Sequence, residues 1–392
     1  MLKINQRIKD IIGSTTLAIT ARAKELQAQG HDVVNFGAGE PDFDTPDFIK
    51  AAAIKAINNG FTKYTPSIGT QELREAISAK FQRDNNLTYK PGQIVVSCGA
   101  KHSLFNIIQV LVDDDEEVIF QSPYWVSYPE MVKAAGGRSV IIPTDQSTGF
   151  KITADLLKKH ITPKTKILIL NSPSNPTGVM YSQEELAQLA KICVEHKIYV
   201  ISDEIYEKLV YDNVKFCSIA SLGKEIFDLT ITVNGVSKAY AMTGWRIGYA
   251  AGPMEIMEVI KKYQDHSTSN PTSISQVAAH AALGASNDTI DSMCKVFKTR
   301  RDLILQCLDQ IPQLSYIRPQ GAFYVFCDVS QFSDGPTVAK EMLDDIKVAV
   351  IPGDGFGASK YIRLSFATSE SKIKDGISRM AKWINTKVTI NK

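Results

Sequence analysis

Residues 230–250 read TITVNGVSKAYAMTGWRIGYA, and this stretch decides how the chain folds. Its two apolar runs, Thr230–Asn234 and Ile247–Ala250, predict two buried strands. Between them, Lys238 is followed eight residues later by Arg246, which stands between glycines. A desolvated lysine has a lowered pKa and can form a Schiff base, and an arginine can bind a phosphate through two hydrogen bonds. The stretch therefore predicts chemistry just beyond a buried strand.

Similar apolar runs recur upstream of this stretch. They are Ile94–Ser97, Glu117–Gln121, Ser139–Pro143, Ile167–Leu170 and Tyr199–Ser202. Amphipathic stretches such as Ser182–His196 lie between several of them and predict helices. Continuous hydrophobicity is typical of strands that are covered on both faces. We therefore predict an α/β fold with a mostly parallel, seven-stranded central sheet flanked by helices.

The pattern changes after about residue 286, where long helical stretches and isolated strands predict a smaller α+β domain. The predicted elements there are a helix at Thr289–Gln310, strands at Ala322–Asp328, Val348–Ile351 and Tyr361–Phe366, and a closing helix at Glu370–Lys387. Near the other end, Thr45–Asn59 predicts a helix with Thr45 as its N-cap. The predicted division is an N-terminal arm (1–14), a large domain (48–289) and a small domain (15–47 plus 290–392).

Composition excludes several classes of protein. The 392 residues are 44% hydrophobic and 22% charged, which is ordinary for a globular chain. The net charge is only +2 and no basic cluster is visible, so neither a nucleic acid nor a membrane surface is an expected partner. The six cysteines and six histidines show no metal-ligand spacing, and we expect no metal and a reduced, cytoplasmic compartment. The first residues lack the apolar core of a signal peptide, and no apolar run reaches the length of a membrane span.

Candidate functional residues follow the predicted strands, where ligands bind in open α/β sheets. Gly99 and Ala100 form a strand-to-helix turn whose free N–H groups suit a phosphate, although a plain tight turn has the same composition. Asp203 follows Tyr199–Ser202, with the phenol of Tyr206 three residues on. A buried carboxylate needs a cationic partner, and the alternative for Asp203 is a helix N-cap.

Two further positions follow other strands. Trp125 comes after Glu117–Gln121 and either stacks on a planar ligand or simply packs. Asn175 lies in the proline-rich loop after Ile167–Leu170, which either aims its amide into a site or is an ordinary rigid loop.

In their order along the chain, these motifs resemble the class I aminotransferases, pyridoxal-phosphate enzymes of fold type I. The resemblance runs from about Arg7 to the last helix. The motifs that carry it are Gly39-Glu-Pro-Asp-Phe, Lys63-Tyr64-Thr, Asn175-Pro-Thr-Gly178, Ser202-Asp-Glu-Ile-Tyr206, Ser237-Lys238, Gly244-Trp-Arg246, Gly321-Ala-Phe-Tyr324 and Arg363-Leu-Ser-Phe-Ala. In detail the chain is similar to the prokaryote-type aspartate aminotransferases, a subgroup that includes prephenate aminotransferases.

The resemblance implies that the large domain binds pyridoxal 5′-phosphate (PLP). Lys238 would hold the cofactor as a Schiff base and later move the proton between substrate Cα and cofactor C4′. Asp203 would pair with the pyridine nitrogen, Tyr206 and Asn175 would hydrogen-bond the ring oxygen, and Trp125 would stack on the ring.

The resemblance also implies which residues hold the phosphate of the cofactor. Gly99, Ala100, Ser237 and Arg246 would hold it, beside Lys101. Tyr64 would reach the phosphate of the other subunit, so that a homodimer shares its active sites.

Substrate binding is implied in the same way. Arg363 would bind the α-carboxylate of the amino acid or 2-oxo acid, helped by Gly39, Asn175 and Trp125. Some dicarboxylate enzymes carry an arginine shortly before the stretch that corresponds to Ser269-Asn270-Pro271, but no arginine stands there in this chain. The subgroup instead uses the position of Lys101, assisted in its prephenate-active members by the position of Thr16.

The predicted reaction is therefore transfer of the amino group of L-aspartate to 2-oxoglutarate, with prephenate left open as a further substrate. The alternatives within the fold are an aromatic- or alanine-type aminotransferase and a PLP-dependent β-lyase. A regulator built on the same fold would be expected to carry a DNA-binding module or to lack the lysine, and neither is the case here.

Overall fold

The computed structural model describes residues 4–13 and 15–390. Residues 1–3 and Ser14 of the predicted arm (1–14) therefore lie outside the described residues. Within the arm, Gln6–Lys9 forms one helical turn. The α-helices are α1 (Gln6–Lys9), α2 (Thr15–Ala28), α3 (Asp47–Asn58), α4 (Gln71–Asn85), α5 (Ala100–Leu111), α6 (Tyr128–Ala135), α7 (Ala154–His160), α8 (Gln183–His196), α9 (Lys224–Phe227), α10 (Met254–Asp265), α11 (Ser273–Gly284), α12 (Asp288–Leu308), α13 (Gly335–Ile346) and α14 (Glu370–Ile390). The strands are β1 (Val34–Asn35), β2 (Ile94–Ser97), β3 (Glu117–Ser122), β4 (Arg138–Pro143), β5 (Thr165–Asn171), β6 (Tyr199–Asp203), β7 (Thr230–Gly235), β8 (Gly248–Ala251), β9 (Ser315–Tyr316), β10 (Tyr324–Asp328), β11 (Val348–Ala349), β12 (Ile351–Pro352) and β13 (Tyr361–Ser365).

The seven apolar runs predicted as strands form one sheet in the order β2-β8-β7-β6-β5-β3-β4. β8 runs antiparallel to both of its neighbours, and the remaining pairs are parallel. The prediction of a mostly parallel, seven-stranded α/β sheet is confirmed. Because β8 is reversed, its amino end lies beside the carboxyl ends of the other six strands.

Helix starts follow local hydrogen-bonding chemistry. Ser182 caps α8 by accepting from Glu185 N, while the Glu185 carboxylate accepts from Ser182 N at 2.7 Å. The prediction that Thr45 caps α3 was wrong, because Pro46 occupies that position. The Thr45 hydroxyl instead donates to Ala241 O at 2.7 Å and accepts from Trp245 Nε1, so it ties α3 to the loop that contains Lys238 and Arg246.

The chain after α11 forms an antiparallel sheet in the order β12-β13-β10-β9, covered by α12, α13 and α14. Val348–Ile351 was predicted as one strand and is two: β11 pairs with β1 in parallel, and β12 joins the antiparallel sheet. One apolar run is thus shared by two sheets. The division into domains 15–47 plus 290–392 and 48–289 stays a prediction.

No helix in residues 4–13 and 15–390 is long and apolar enough to cross a membrane. Across the same residues, no group of three or more His, Cys, Asp or Glu side chains is arranged to hold a metal ion. The six cysteines are free thiols.

Candidate active site

A cavity of about 440 Å³ opens at the carboxyl edge of the central sheet. It collects side chains from positions that are far apart in the sequence. The predicted site residues that line it are Thr16, Gly39, Ala100, Lys101, Trp125, Asn175, Asp203, Tyr206, Ser237, Lys238, Arg246 and Arg363. Gly99 lies at its margin against Arg246. Tyr64 does not line it and points outward, with 93% of its surface exposed.

One end of the cavity combines a helix N-terminus with a guanidinium group. α5 begins directly after Gly99, whose φ of +94° is in the region that favours glycine. A Cβ at Gly99 would overlap the Arg246 guanidinium, and one at Gly248 would overlap the backbone nitrogen of Ala100. Arg246 donates to Thr243 O at 2.7 Å and to Cys98 O at 3.3 Å. Free N–H groups, a hydroxyl from Ser237 and a fixed cation together suit an anion.

Lys238 follows β7 and points across the cavity. Its Nζ donates to Gly39 O at 2.5 Å. Burial, with smaller contributions from the charges of Arg363 and Arg246, lowers the pKa of Lys238 to about 8, and Glu40 opposes this shift. An amine with this pKa is partly neutral near neutral pH, so it can act as a nucleophile or accept a proton.

Asp203 ends β6 and is 4% exposed. Its Oδ2 accepts a hydrogen bond from the Tyr128 hydroxyl at 2.7 Å. Within residues 4–13 and 15–390, its Oδ1 accepts only a long bond from Ile205 N at 3.4 Å. Burial raises the pKa of Asp203 to about 6, against the opposing effect of the Tyr128 hydrogen bond. The carboxylate is therefore held in one orientation with capacity left for a cationic partner.

Arg363 is buried in β13 on the far wall of the cavity. It donates to Asn175 Oδ1 at 2.9 Å and to Gly37 O at 3.1 Å, and its guanidinium lies 4.3 Å from the Tyr324 ring centroid. Its buried Nε has no hydrogen-bond partner within the part of the chain that the structure describes. Burial lowers the pKa of Arg363, so a bound anion would stabilise this charge.

Lys101 and Thr16 face the same cavity from α5 and α2. Lys101 Nζ lies 4.9 Å from the centroid of the Trp125 ring. Desolvation and, to a smaller extent, the charge of Arg246 lower the pKa of Lys101. Lys101 on α5 and Arg363 on β13 thus bring two cationic groups into one cavity, which suits a ligand with two acidic groups.

Comparison with known proteins decides the family. Residues 31–380 match the family described as "Aminotransferase class I and II". The chain belongs to this family. The aspartate aminotransferase of Bacillus subtilis strain 168 is 48% identical over 98% of this chain and 99% of its own length. The aspartate/prephenate aminotransferase of Cereibacter sphaeroides is 44% identical over 94% and 95%. Among solved structures, the aspartate aminotransferase from Thermus thermophilus with maleate superposes with a TM-score of 0.94 at 44% identity, covering 97% of this chain and 100% of that one.

The sequence analysis did not assign two residues that line the aminotransferase cavity, Asn171 and Tyr324, nor Tyr128, which lies behind Asp203. Tyr128 holds Asp203, and the Tyr324 hydroxyl lies 2.9 Å from that of Tyr206. Asn171 bridges two strand ends, because its amide donates to Asp203 O at 3.0 Å and accepts from Asn175 N at 2.8 Å. Tyr324 stands in one of the recognised motifs, but nothing in the sequence distinguishes Tyr128 from an aromatic residue that only packs.

Proposed function

We propose that this aminotransferase moves the amino group of L-aspartate to 2-oxoglutarate through PLP and also acts on prephenate. The observation that carries the proposal is the single cavity that holds Lys238, Asp203 and Arg363 together. The names of the similar bacterial enzymes support the choice of substrates.

The residues present fit the cofactor. The end formed by Ala100, Ser237 and Arg246 would hold its phosphate. Gly99 and Gly248 lie beside this end and leave space that a Cβ at either position would fill. Asp203 would pair with the pyridine nitrogen and Trp125 would cover the ring. When bound, PLP supplies an electron sink for the carbanion at the substrate Cα.

The protein's own groups provide proton transfer and charge. Lys238, with a pKa of about 8, would take the proton from the Cα of the amino donor. In the second half-reaction it would give a proton to the Cα of the new amino acid. Asp203 is ionised above about pH 6, so its negative charge favours a protonated pyridine. Tyr128 keeps that carboxylate in place, and Tyr206 with Asn175 would hydrogen-bond the ring oxygen.

The α-carboxylate of the substrate would bind Arg363. The planar guanidinium matches a carboxylate, and a bound substrate would give the buried Nε the acceptor it lacks. Asn175 and the Gly39 backbone lie at the same wall and would complete this binding site.

The distal carboxylate would bind Lys101, with a hydrogen bond from Thr16. A similar solved enzyme was crystallised with maleate, which carries two carboxylates. A hydrogen bond to a charged group contributes about 1.5–3 kcal/mol, or about one to two decades in catalytic efficiency. Lys101→Met should lose about that much with aspartate, glutamate and prephenate, and little with alanine or phenylalanine. Equal losses with aspartate and phenylalanine would mean that Lys101 only supports the cofactor.

The proposed assembly is a homodimer in the cytoplasm, in which Tyr64 of each subunit reaches the phosphate in the other. Its 93% exposure is compatible with such a contact. The proposed domains are a large cofactor-binding unit (48–289) and a small unit (15–47 plus 290–392). A sedimentation experiment that finds an active monomer would contradict the shared site.

Two experiments test the proposed reaction. Amino donors are assayed against 2-oxoglutarate, oxaloacetate and prephenate, and we expect aspartate and glutamate to be the efficient donors. Release of pyruvate from cystathionine without transamination would instead indicate a β-lyase. Borohydride reduction should attach the cofactor to Lys238, located by mass spectrometry, and a label on another lysine would contradict the assignment.

A further inference from the structure

The segment 61–70, here named the Tyr64 loop, has an exposed tip on a tightly held base. Tyr64 at the tip is 93% exposed. The base is held by side chains from α10 and α11, and among the residues described neither the loop nor these two helices line the cavity of their own subunit.

Gln276 on α11 holds the two ends of the base. It is 1% exposed. Its Oε1 accepts from Thr70 N at 2.8 Å, and its Nε2 donates to Thr65 Oγ1 at 2.9 Å and to Pro271 O at 2.7 Å. Thr65 follows Tyr64 directly, so this amide fixes the chain one residue from the tip.

Gln264 near the end of α10 holds the middle of the base. It is fully buried, and its Nε2 donates to Ser67 O at 2.6 Å and to Val96 O at 2.9 Å. Its Oε1 accepts from Ser97 Oγ at 2.7 Å and from Asn106 Nδ2 at 3.0 Å. All four hydrogen-bonding positions of the amide are therefore used, which is the full capacity of a glutamine side chain.

Backbone contacts complete the base. Val96 N donates to Ile68 O at 3.0 Å, and Ser273 Oγ donates to Phe61 O at 3.0 Å. A Cβ at Gly69 would come within 2.7 Å of the Val96 side chain, so the loop lies directly on β2. Residues 62–64 thus project from a segment that is fixed on both sides.

We infer that Gln264 and Gln276 are positioning residues for the cofactor site of a second copy of this chain. They fix the Tyr64 loop before association, so that Tyr64 is presented to the phosphate of a PLP bound by the other subunit. A group that is already ordered loses less conformational entropy when it binds. The inference rests on the shared site in the proposed function and adds the side chains that make the sharing effective.

The test uses mixed dimers, because a positioning role acts on the partner's site and a stability role acts on the same subunit. In the first dimer, one subunit carries Gln276→Leu with Lys238→Ala and the other is wild type. Its only intact lysine faces the altered loop. In the second, the Gln276→Leu subunit keeps Lys238 and its partner carries Lys238→Ala, so the intact lysine faces a normal loop.

The readout is the PLP concentration needed to trap cofactor on Lys238 with borohydride, together with KM and kcat. We expect about tenfold weaker trapping in the first dimer, comparable to loss of one hydrogen bond to a charged group, and near-normal trapping in the second. Gln264→Leu should behave in the same way. Thr65→Val serves as the test if Gln276→Leu fails to fold. It removes only the hydroxyl that accepts from Gln276 Nε2, and it should give a smaller defect in the first dimer.

Gln93→Leu is the matched control. Gln93 also ties two segments together, but at the amino end of β2, where it donates to Gly252 O at 3.1 Å and accepts from Lys90 N at 3.1 Å. It should leave trapping unchanged in both dimers. Equal defects in the two dimers, or a defect confined to the second, would overturn the inference. Tyr64→Phe in the same pair separates the two hypotheses: if it has no effect on the partner's site, the shared site itself is wrong, and if only the glutamine variants have none, the inference alone is wrong.

Discussion

Tyr128→Phe removes the hydroxyl that donates to Asp203 Oδ2 at 2.7 Å and keeps the buried ring. A hydrogen bond to a charged group contributes about 1.5–3 kcal/mol, and one pKa unit corresponds to about 1.4 kcal/mol. The pKa of Asp203, about 6 in the intact protein, should therefore rise by about one to two units. At pH 7 the ionised fraction of Asp203 would fall from about nine-tenths to between about half and one-tenth.

The assay is equilibrium binding of PLP to the apoprotein as a function of pH. The Asp203 carboxylate should strengthen binding by pairing with the pyridine nitrogen, in addition to the contacts of the phosphate. Affinity should therefore decrease as the pH falls through the Asp203 pKa, and the acidic limb should move to higher pH in the variant. The phosphate of the ligand also titrates, and comparison with wild type removes its contribution. Tyr89→Phe is the control. It removes a buried hydrogen bond of 3.1 Å between a phenol and the Thr232 hydroxyl, and neither residue lines the cavity. Coincident acidic limbs for Tyr128→Phe and wild type would refute the reasoning.

Three further predictions test other parts of the site. Asp203→Asn should leave the fold and phosphate binding intact and slow proton transfer strongly in single-turnover spectra, and a near-normal rate would contradict the role of its charge. Gly99→Ala should displace the Arg246 guanidinium and weaken PLP binding by about tenfold, whereas Gly30→Ala, at a similar φ of +89° with no neighbour within 4 Å, should change only the free energy of unfolding. Arg363→Lys should raise KM by about 10- to 100-fold for every amino acid, and an increase for aspartate alone would contradict an α-carboxylate site.

The central sheet could be predicted from the sequence because its strands are buried on both faces. All six residues of Thr230–Gly235, for example, are buried, so the apolar run and the strand coincide closely. The residues that line the cavity could be placed together for the same reason: most of them follow strands whose carboxyl ends share one edge, and the resemblance to a family supplied their expected roles.

Other features depend on contacts that a linear pattern does not contain. The run Val348–Ile351 divides between two sheets because Val34 and Asn35, more than 300 positions away, pair with its first half. Tyr128 was not assigned because a phenol that holds a carboxylate has the same sequence signature as one that packs in a core. Thr45 had the sequence of an N-cap, but its hydroxyl is used by Ala241.

The reversed strand β8 sets one fixed spacing inside the cavity. Gly235 pairs with Gly248 across the antiparallel ladder, so the chain segments that lead to Lys238 and from Arg246 are anchored in neighbouring strands, about 4.8 Å apart. The backbone positions of Lys238 and Arg246 are therefore anchored by the sheet, a few residues beyond a paired position on each strand. For a ligand that places a reactive carbonyl at Lys238 and an anionic group at Arg246, we expect this anchoring to limit the separation of the two groups, so that a pyridoxal ester with a longer arm binds more weakly than one with the arm of PLP.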